Sequence, residues 1–86
     1  MEELKGKEVI VDTDTSYIYV GVLIDLTDDC LIMEKLDVHD RNDLEMSKEK
    51  YILETRRHGV KENRKKAYIL RERIVSISLL EDVLKF

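Results

Sequence analysis

The sequence predicts a small, mainly β domain in which five short strands form one strongly bent sheet. The apolar run YIYVGVLIDL (17–26) has a glycine, Gly21, at its centre, and further apolar runs of strand length flank it on both sides. A glycine inside an apolar strand marks a sharp bend or a close approach of two backbones. A long strand bent at its centre can contribute to two walls of a closed sheet. The predicted architecture therefore depends on Gly21.

Length and composition limit the chain to one domain. Its 86 residues form a single unit, residues 1–86, with no room for two hydrophobic cores. Hydrophobic residues make up 43%, which is enough for a core, whereas charged residues reach 40%, against about 25% in average domains. A chain of this length buries only about 60% of its unfolded surface. We therefore expect a highly charged surface and additional burial through oligomerisation.

The cysteine content and the N-terminal sequence favour a soluble, cytoplasmic protein. Cys30 is the single cysteine, so it cannot close an internal disulfide, which suits a reducing compartment. The first residues, MEELKGKEV, are polar and lack the apolar region of a signal peptide. The longest apolar run is far shorter than the roughly 20 residues that a membrane-spanning helix requires. We expect no membrane partner.

The five strands follow from apolar runs that end at turn-forming residues. The first is KEVIVDT (7–13), and the bent central run follows it as the second. A polar TDD turn leads to the third, CLIMEKL (30–36). The last two, AYILR (67–71) and IVSISLL (74–80), are separated by a tight connection, and the final run alternates apolar residues with serines.

The predicted core consists of the apolar residues that these patterns direct inward. They are Val9, Val11, Ile18, Val20, Val22, Leu23, Ile32, Ile69, Val75, Ile77 and Leu79. The tail LLEDVLKF is expected to pack Leu80, Val83 or Leu84 against the sheet.

A charged segment, residues 37–66, separates the third and fourth strands, and its middle is predicted to be helical. Asn42 or Asp43 can cap the start, with Ser47 as a later option. Gly59 suits the residue after the last turn, and positive charge precedes it, where the helix dipole favours cations. The competing interpretation makes KYILETR a further strand, because period alone does not settle short apolar runs.

The chain resembles the Sm-like (Sm, Lsm and Hfq) superfamily, as a divergent bacterial-type member. LKGKEVIV (4–11) resembles the opening strand of that family. YVGVLIDLTDDCLIM (19–33) resembles its first conserved motif, and YILRERIVSI (68–77) resembles its second. The resemblance implies a small five-stranded, SH3-type barrel with the charged helical segment inserted between strands three and four.

The same resemblance implies a homo-oligomeric ring. In the family, the fourth strand of one subunit pairs with the fifth strand of the next. Here residues 67–71 and 74–80 are apolar and contain no proline, so both would otherwise be exposed edges that tend to pair. We expect a homo-oligomer assembled through these two strands.

The uridine pocket of the family is not expected in this chain. Sm proteins hold uracil with an aspartate and an asparagine between strands two and three, and with an arginine–glycine pair between strands four and five. Thr27 and Leu31 occupy the first two positions. Arg71 matches the arginine, but Glu72 replaces the glycine and adds negative charge where RNA would approach.

RNA is instead expected to contact a basic segment, RRHGVKENRKK (56–66). It carries six basic residues and one acidic residue, a net charge of +5, on a chain of net charge −4. Clustered cations bind phosphates by releasing counterions, and Tyr51 and Tyr68 flank the cluster for base stacking. The predicted RNA-binding residues are Arg56, Arg57, Lys61, Arg64, Lys65, Lys66 and Arg71. The alternatives are a solvated loop, ion pairs with a neighbouring subunit, or an RNA-independent scaffold that binds proteins.

Metal binding and catalysis are the weaker hypotheses. The residues that could ligate a metal are Asp37, His39, Asp40, Asp43 and His58, but they lack the spacing of a zinc site. An alternative role for Asp37 and Asp40 is to pair with an arginine of the segment, Arg56, Arg57 or Arg64, and so pin it to the sheet. No nucleophile lies beside a base, and no glycine-rich phosphate loop is present. We therefore expect no enzyme, no cofactor and no metal.

Overall fold

Five antiparallel strands form one sheet, and one α-helix lies between the third and fourth strands in sequence. The computed structural model describes residues 1–43 and 46–84. The elements are β1 (Glu8–Thr13), β2 (Tyr17–Leu26), β3 (Cys30–Asp40), α1 (Lys48–His58), β4 (Arg64–Leu70) and β5 (Ile74–Leu79). Short 3-10 turns span Glu2–Leu4, Arg71–Arg73 and Leu80–Asp82. The strand order across the sheet is β4-β3-β2-β1-β5.

The first two strands are confirmed almost to the residue, whereas β3 and β4 reach further into the charged segment than predicted. β3 continues past residue 36 to Asp40, because Tyr17 of β2 still pairs with it there. β4 begins at Arg64 rather than at residue 67, because Arg64 pairs with Leu36. Continued pairing with a neighbouring strand therefore outweighs the polar composition of both ends. Residues 41–63, rather than 37–66, lie between the two strands.

The last two strands end one residue earlier than predicted. β4 ends at Leu70, and Arg71 opens the 3-10 turn that connects it to β5. β5 ends at Leu79, and Leu80 opens the turn that follows. The tight connection between the two strands is confirmed.

The pairing of β2 with β3 becomes irregular at Gly21. Two residues of β3, Lys35 and Leu36, lie opposite this single residue of β2, so β3 carries an extra residue there. Lys35 adopts a left-handed φ of 50°. A Cβ atom built on Gly21 would lie 2.7 Å from Leu36 Cα and closer still to Leu36 Cβ. Only glycine therefore allows Leu36 to close over β2 at this point.

One buried cluster covers what we call the inner face of the sheet. Its fully or nearly fully buried members are Val9, Val11, Leu23, Leu31, Met33, Leu36 and Ile69. Ile69 belongs to β4, whereas Ile77 and Leu79 of β5 pack against the same cluster from the opposite edge. Residues from both edges can share one cluster only if the sheet curves strongly around it.

A second cluster lies on the opposite, outer face, where α1 and the C-terminal segment cover β1 and β2. Its members are Ile10, Ile18, Val20, Tyr51 and Leu80. Alternation along β1 explains the division, since Ile10 points away from Val9 and Val11. The first half of the central strand is therefore covered on both faces, as its apolar sequence requires.

Most of the predicted core is buried, but one residue is wrongly assigned. Val75 is 68% exposed, because β5 carries an extra residue between the pairs Asp12↔Ser76 and Thr13↔Ile74. This bulge turns Val75 outward and lets Ile74 pack inward. The half-buried members of the predicted core are Val22, Ile32, Ile77 and Leu79. Buried apolar and aromatic residues that were not predicted are Ile10, Leu31, Met33, Leu36 and Tyr51.

The C-terminal tail packs as predicted for two of its three candidate residues. Leu80 is 5% exposed, and Val83 packs against the outer-face cluster. Leu84 remains 69% exposed.

The helix, rather than the alternative strand over KYILETR, is confirmed. Ser47 is the cap, since the Lys50 backbone N–H donates to its Oγ at 3.2 Å. The earlier candidates, Asn42 and Asp43, are wrong, because they lie before the helix begins. At the other end, Gly59 adopts a φ of 88° and its N–H donates to the Thr55 carbonyl at 2.8 Å. Within the described ranges, no helix combines the length and apolarity needed to cross a membrane.

Candidate nucleic-acid interface

Asp37 anchors both the helix and the segment that follows it to β3. The Tyr51 hydroxyl donates to Asp37 Oδ2 at 2.7 Å, and Asn63 Nδ2 donates to Asp37 Oδ1 at 2.9 Å. Asn63 also exchanges two hydrogen bonds with the Val38 backbone, at 2.9 and 3.0 Å. The prediction that this region is pinned to the sheet through Asp37 therefore holds, but a tyrosine and an asparagine replace the expected arginines. Sequence patterns offered no signal for Asn63, which lies 26 positions from its partner.

The environment of Tyr51 keeps its hydroxyl protonated. Burial raises the pKa of the Tyr51 phenol well above its usual range, and the hydrogen bond to the Asp37 carboxylate raises it further. The ring of His39 stacks on the Tyr51 ring, with the ring centroids 3.9 Å apart and the planes 4° from parallel. Tyr51 is therefore held by a stacked ring as well as by a carboxylate.

A second anchor joins the start of α1 to β1. Lys48 forms an ion pair with Asp12, and Arg41 Nη2 lies 3.2 Å from the other oxygen of the same carboxylate. The same Arg41 nitrogen donates to the Thr13 and Thr15 carbonyls, at 2.9 and 2.7 Å. Together with Asp37, this group fixes both ends of the segment between β3 and β4.

Three of the predicted RNA-binding residues form one continuous group. Arg64, Lys65 and Lys66 are consecutive, exposed residues at the start of β4, which is an edge of the sheet. They lie on a strand with fixed side-chain directions, rather than in a solvated loop. The remaining four residues lie elsewhere.

Each of those four has different surroundings. Arg56 is half-buried beside a cavity of about 390 Å³ near β1 and the C-terminal turn, and Arg57 Nη1 lies 3.8 Å from Glu54 Oε1 on its own helix. Lys61 lines a groove beside α1. Arg71 lies in the 3-10 turn after β4, where its backbone N–H donates to the Asp29 carbonyl at 2.8 Å. These four residues therefore have surroundings that differ from those of the exposed start of β4.

The outer face of β4 combines cations with an exposed aromatic ring. Alternation places Arg64, Lys66, Tyr68 and Leu70 on this face, opposite the buried Ile69. Tyr68 is 62% exposed, and Lys66 Nζ lies 5.4 Å from the centroid of its ring. This distance is within the range of a cation–π contact. The arrangement offers two cations for phosphates and one flat ring for a base.

An apolar surface continues from β4 onto β3. Ile32 pairs with Tyr68, and Cys30 pairs with Leu70. Ile32, like Val22 on β2, belongs to neither buried cluster. Whereas α1 covers the outer face over β1 and the first half of β2, this part of the face is uncovered by the described residues.

The residues that were compared in sequence with a uridine pocket have other roles in this structure. The Thr27 hydroxyl accepts the Cys30 backbone N–H at 2.9 Å and so stabilises the turn between β2 and β3, while Leu31 is fully buried in the inner cluster. A cavity of about 510 Å³ nearby is lined by one leucine, one arginine and three acidic residues, namely Leu70, Arg71, Asp28, Asp29 and Glu72. Excess negative charge disfavours phosphate at this end of the sheet.

The candidate metal ligands are dispersed among other contacts. Asp40 Oδ1 accepts the Asn42 backbone N–H at 2.9 Å, and His58 Nε2 lies 3.2 Å from Glu54 Oε2. Over residues 1–43 and 46–84, no three histidine, cysteine or acidic side chains are grouped closely enough to hold a metal ion.

Comparisons with known proteins leave the side chains of the chain itself as the basis for a functional assignment. No protein-family model matches the chain, and no curated protein matches it.

Proposed function

We propose that the protein is an Sm-like module that binds single-stranded RNA through the outer face of β4. The observation that carries this proposal is the alternation of Arg64, Lys66 and Tyr68 on one exposed strand face, with the Lys66 ammonium over the Tyr68 ring. The strand order, the strong curvature and the requirement for glycine at position 21 support the barrel architecture. The role is one of binding, without catalysis.

Each side chain has a separate part in the proposed binding. Arg64 and Lys66 neutralise successive phosphates, and the release of counterions supplies most of the affinity. Tyr68 stacks on a base, which contributes about 1–3 kcal/mol and tolerates any base. Binding therefore depends strongly on salt and weakly on sequence. The acidic surroundings of Arg71 and the burial of Leu31 argue against selective recognition of uridine.

The test is a fluorescence-anisotropy titration of a labelled single-stranded RNA of mixed sequence with the wild-type protein and two charge-matched variants. R64A/K66A removes two cations from the β4 face, and K7A/R73A removes two exposed cations elsewhere. We expect R64A/K66A to weaken binding at least about tenfold, and K7A/R73A to change it less than about twofold. Y68A should weaken RNA binding by about 1–3 kcal/mol, the contribution expected from stacking on a base. Equal affinities of the two double variants would reject the β4 face as the site.

A second proposal concerns self-association, and the two edge strands of the sheet are the basis for it. β4 and β5 are the outermost strands, and exposed apolar residues accompany them, namely Tyr68, Leu70 and Val75. Antiparallel pairing of β4 with β5 of a second copy would bring the basic start of β4 close to Glu81 and Asp82, which follow β5. Such pairing satisfies both edges and leaves the outer face of β4 free for RNA. A ring built in this way would also be a scaffold if RNA does not bind.

Charge reversal and its reciprocal rescue test this assembly. We expect K65E/K66E to lower the mass measured by multi-angle light scattering, and the further changes E81K/D82K to restore it, because opposite charges then face each other again. A monomeric wild-type protein would refute the assembly, as would a reversal without effect on the mass.

A further inference from the structure

A groove of about 470 Å³ lies between α1, Asp37 of β3 and the residues that follow the helix. Its walls include Lys50 and Glu54 on the helix and Lys61 beyond it. The volume is within the range of about 300–1,000 Å³ that is typical of small-molecule sites. None of the residues proposed to bind RNA on β4 lines this groove.

The acidic groups of the groove already have partners, whereas its lysines have no acidic partner among the described residues. Glu54 faces His58 Nε2 at 3.2 Å and Arg57 Nη1 at 3.8 Å. In the part of the chain that the structure describes, neither Lys50 nor Lys61 forms an ion pair. Two ammonium groups that have no counterion among residues 1–43 and 46–84 therefore line one cavity of an acidic protein.

Besides its lysines, the groove offers apolar surface and the carboxylate of Asp37. The Tyr51 hydroxyl and Asn63 use one lone pair on each Asp37 oxygen, so the carboxylate can still accept further hydrogen bonds. Thr55 donates its hydroxyl to the Tyr51 carbonyl at 2.9 Å. Met46 contributes apolar surface. A ligand would meet cations, an apolar floor and one acceptor carboxylate.

We propose that this groove binds a small organic phosphate of mononucleotide size. Lys50 and Lys61 hold the phosphate, the heterocycle lies against Met46 and Tyr51, and Asp37 accepts a hydrogen bond from an exocyclic amino group. Charge-assisted contacts of lysine with phosphate supply the main attraction.

Two sources could supply this chemistry. One is a free mononucleotide, and the other is the phosphorylated 5′ end of an RNA bound on β4, because Lys61 lies three residues before Arg64 at the start of that strand. The groove chemistry is the same in both cases, and the free form does not require RNA binding on β4.

The primary test is an NMR titration of the ¹⁵N-labelled protein with adenosine monophosphate, with adenosine as the neutral control. We expect saturable shifts of the Tyr51, Thr55, Gly59 and Lys61 amide signals with the monophosphate and at least about fivefold weaker binding of adenosine. K50A/K61A should lower the affinity for adenosine monophosphate at least about tenfold, whereas K7A/R73A should leave it unchanged. Shifts that do not saturate at millimolar ligand, or equal binding by both double variants, would overturn the proposal.

The two proposed sites can fail independently. R64A/K66A should no longer bind RNA but should still bind adenosine monophosphate. K50A/K61A should no longer bind the monophosphate but should still bind 5′-hydroxyl RNA. If 5′-phosphorylated RNA binds more tightly than 5′-hydroxyl RNA, and K50A/K61A removes the difference, the groove serves the RNA end. Equal binding of the two RNAs, with the monophosphate still bound, assigns the groove to a free nucleotide. Loss of the monophosphate in R64A/K66A but not in K50A/K61A would reject the groove.

Discussion

At the scale of single residues, the contact between Gly21 and Leu36 determines the path of the central strand. Leu36 is fully buried, and its Cα would lie 2.7 Å from a Cβ at position 21. The neighbouring Lys35 reaches a left-handed φ of 50° so that β3 can accommodate the extra residue. The curvature of the sheet therefore depends on an absent side chain.

Gly21→Val should destabilise the protein strongly, because Leu36 cannot move away without displacing the inner cluster. Overpacking of this kind costs about 1–3 kcal/mol, and more where backbone must shift. The free energy of unfolding, measured in urea, should fall by at least that amount. Val22→Ile, on the half-buried outer side of the same strand, is the control and should change it little. An unchanged midpoint for Gly21→Val would contradict this account of the bend.

At the scale of elements, α1 is held to the sheet by specific polar contacts in addition to apolar burial. Tyr51 contributes to the outer-face cluster and donates to Asp37, and Lys48, the first residue of the helix, pairs with Asp12. The strong positive charge of the last turn thus lies on a helix whose position is fixed.

Tyr51→Phe should lower the free energy of unfolding by about 1.5–3 kcal/mol, because it removes a hydrogen bond to a carboxylate. The Tyr68 hydroxyl belongs to an exposed residue, so Tyr68→Phe serves as the matched control and should have almost no effect. Urea unfolding at neutral pH distinguishes the two variants. Equal stability of both would show that the Asp37 contact is energetically unimportant.

The raised pKa of Tyr51 also predicts a specific alkaline behaviour. The folded protein holds this proton more tightly than the unfolded chain does, so the contribution to stability is complete below about pH 10 and is lost as the pH rises through the folded pKa. The free energy of unfolding should therefore fall more steeply above about pH 10 in the wild type than in Tyr51→Phe, by up to about 1.4 kcal/mol per pH unit. Parallel pH profiles would contradict this linkage.

At the scale of the whole molecule, apolar runs bounded by turn-forming residues were sufficient to predict the five strands, and Gly21 within such a run was sufficient to predict the irregular centre of β2. Local alternation did not reveal the bulge at Val75, because a bulge depends on the register with β1. Arg64 and Lys66 were expected in the charged segment before the fourth strand. The exposed face of an edge strand tolerates charged residues, so their composition did not distinguish strand from loop. Asn63 was missed because its partner is distant in sequence.

The division of the outer face into a covered and an uncovered half is the feature of the whole fold that matters most for function. The helix protects Ile10, Ile18 and Val20, whereas Tyr68 and Leu70 on β4 remain exposed. The proposed RNA-binding face lies on β4, whereas the proposed nucleotide groove lies beside α1, and the two share no lining residue.

The salt dependence of RNA affinity tests the central claim most directly. A plot of the logarithm of the RNA affinity against the logarithm of the salt concentration, between about 50 and about 200 mM, should be linear. For single strands, its negative slope becomes shallower by about 0.7 for each phosphate contact that is lost. R64A/K66A should therefore show a slope shallower than that of the wild type by about 1.4, while K7A/R73A keeps the wild-type slope. Identical slopes for all three proteins, or a wild-type affinity that does not change with salt, would contradict the claim that the β4 face binds the phosphates.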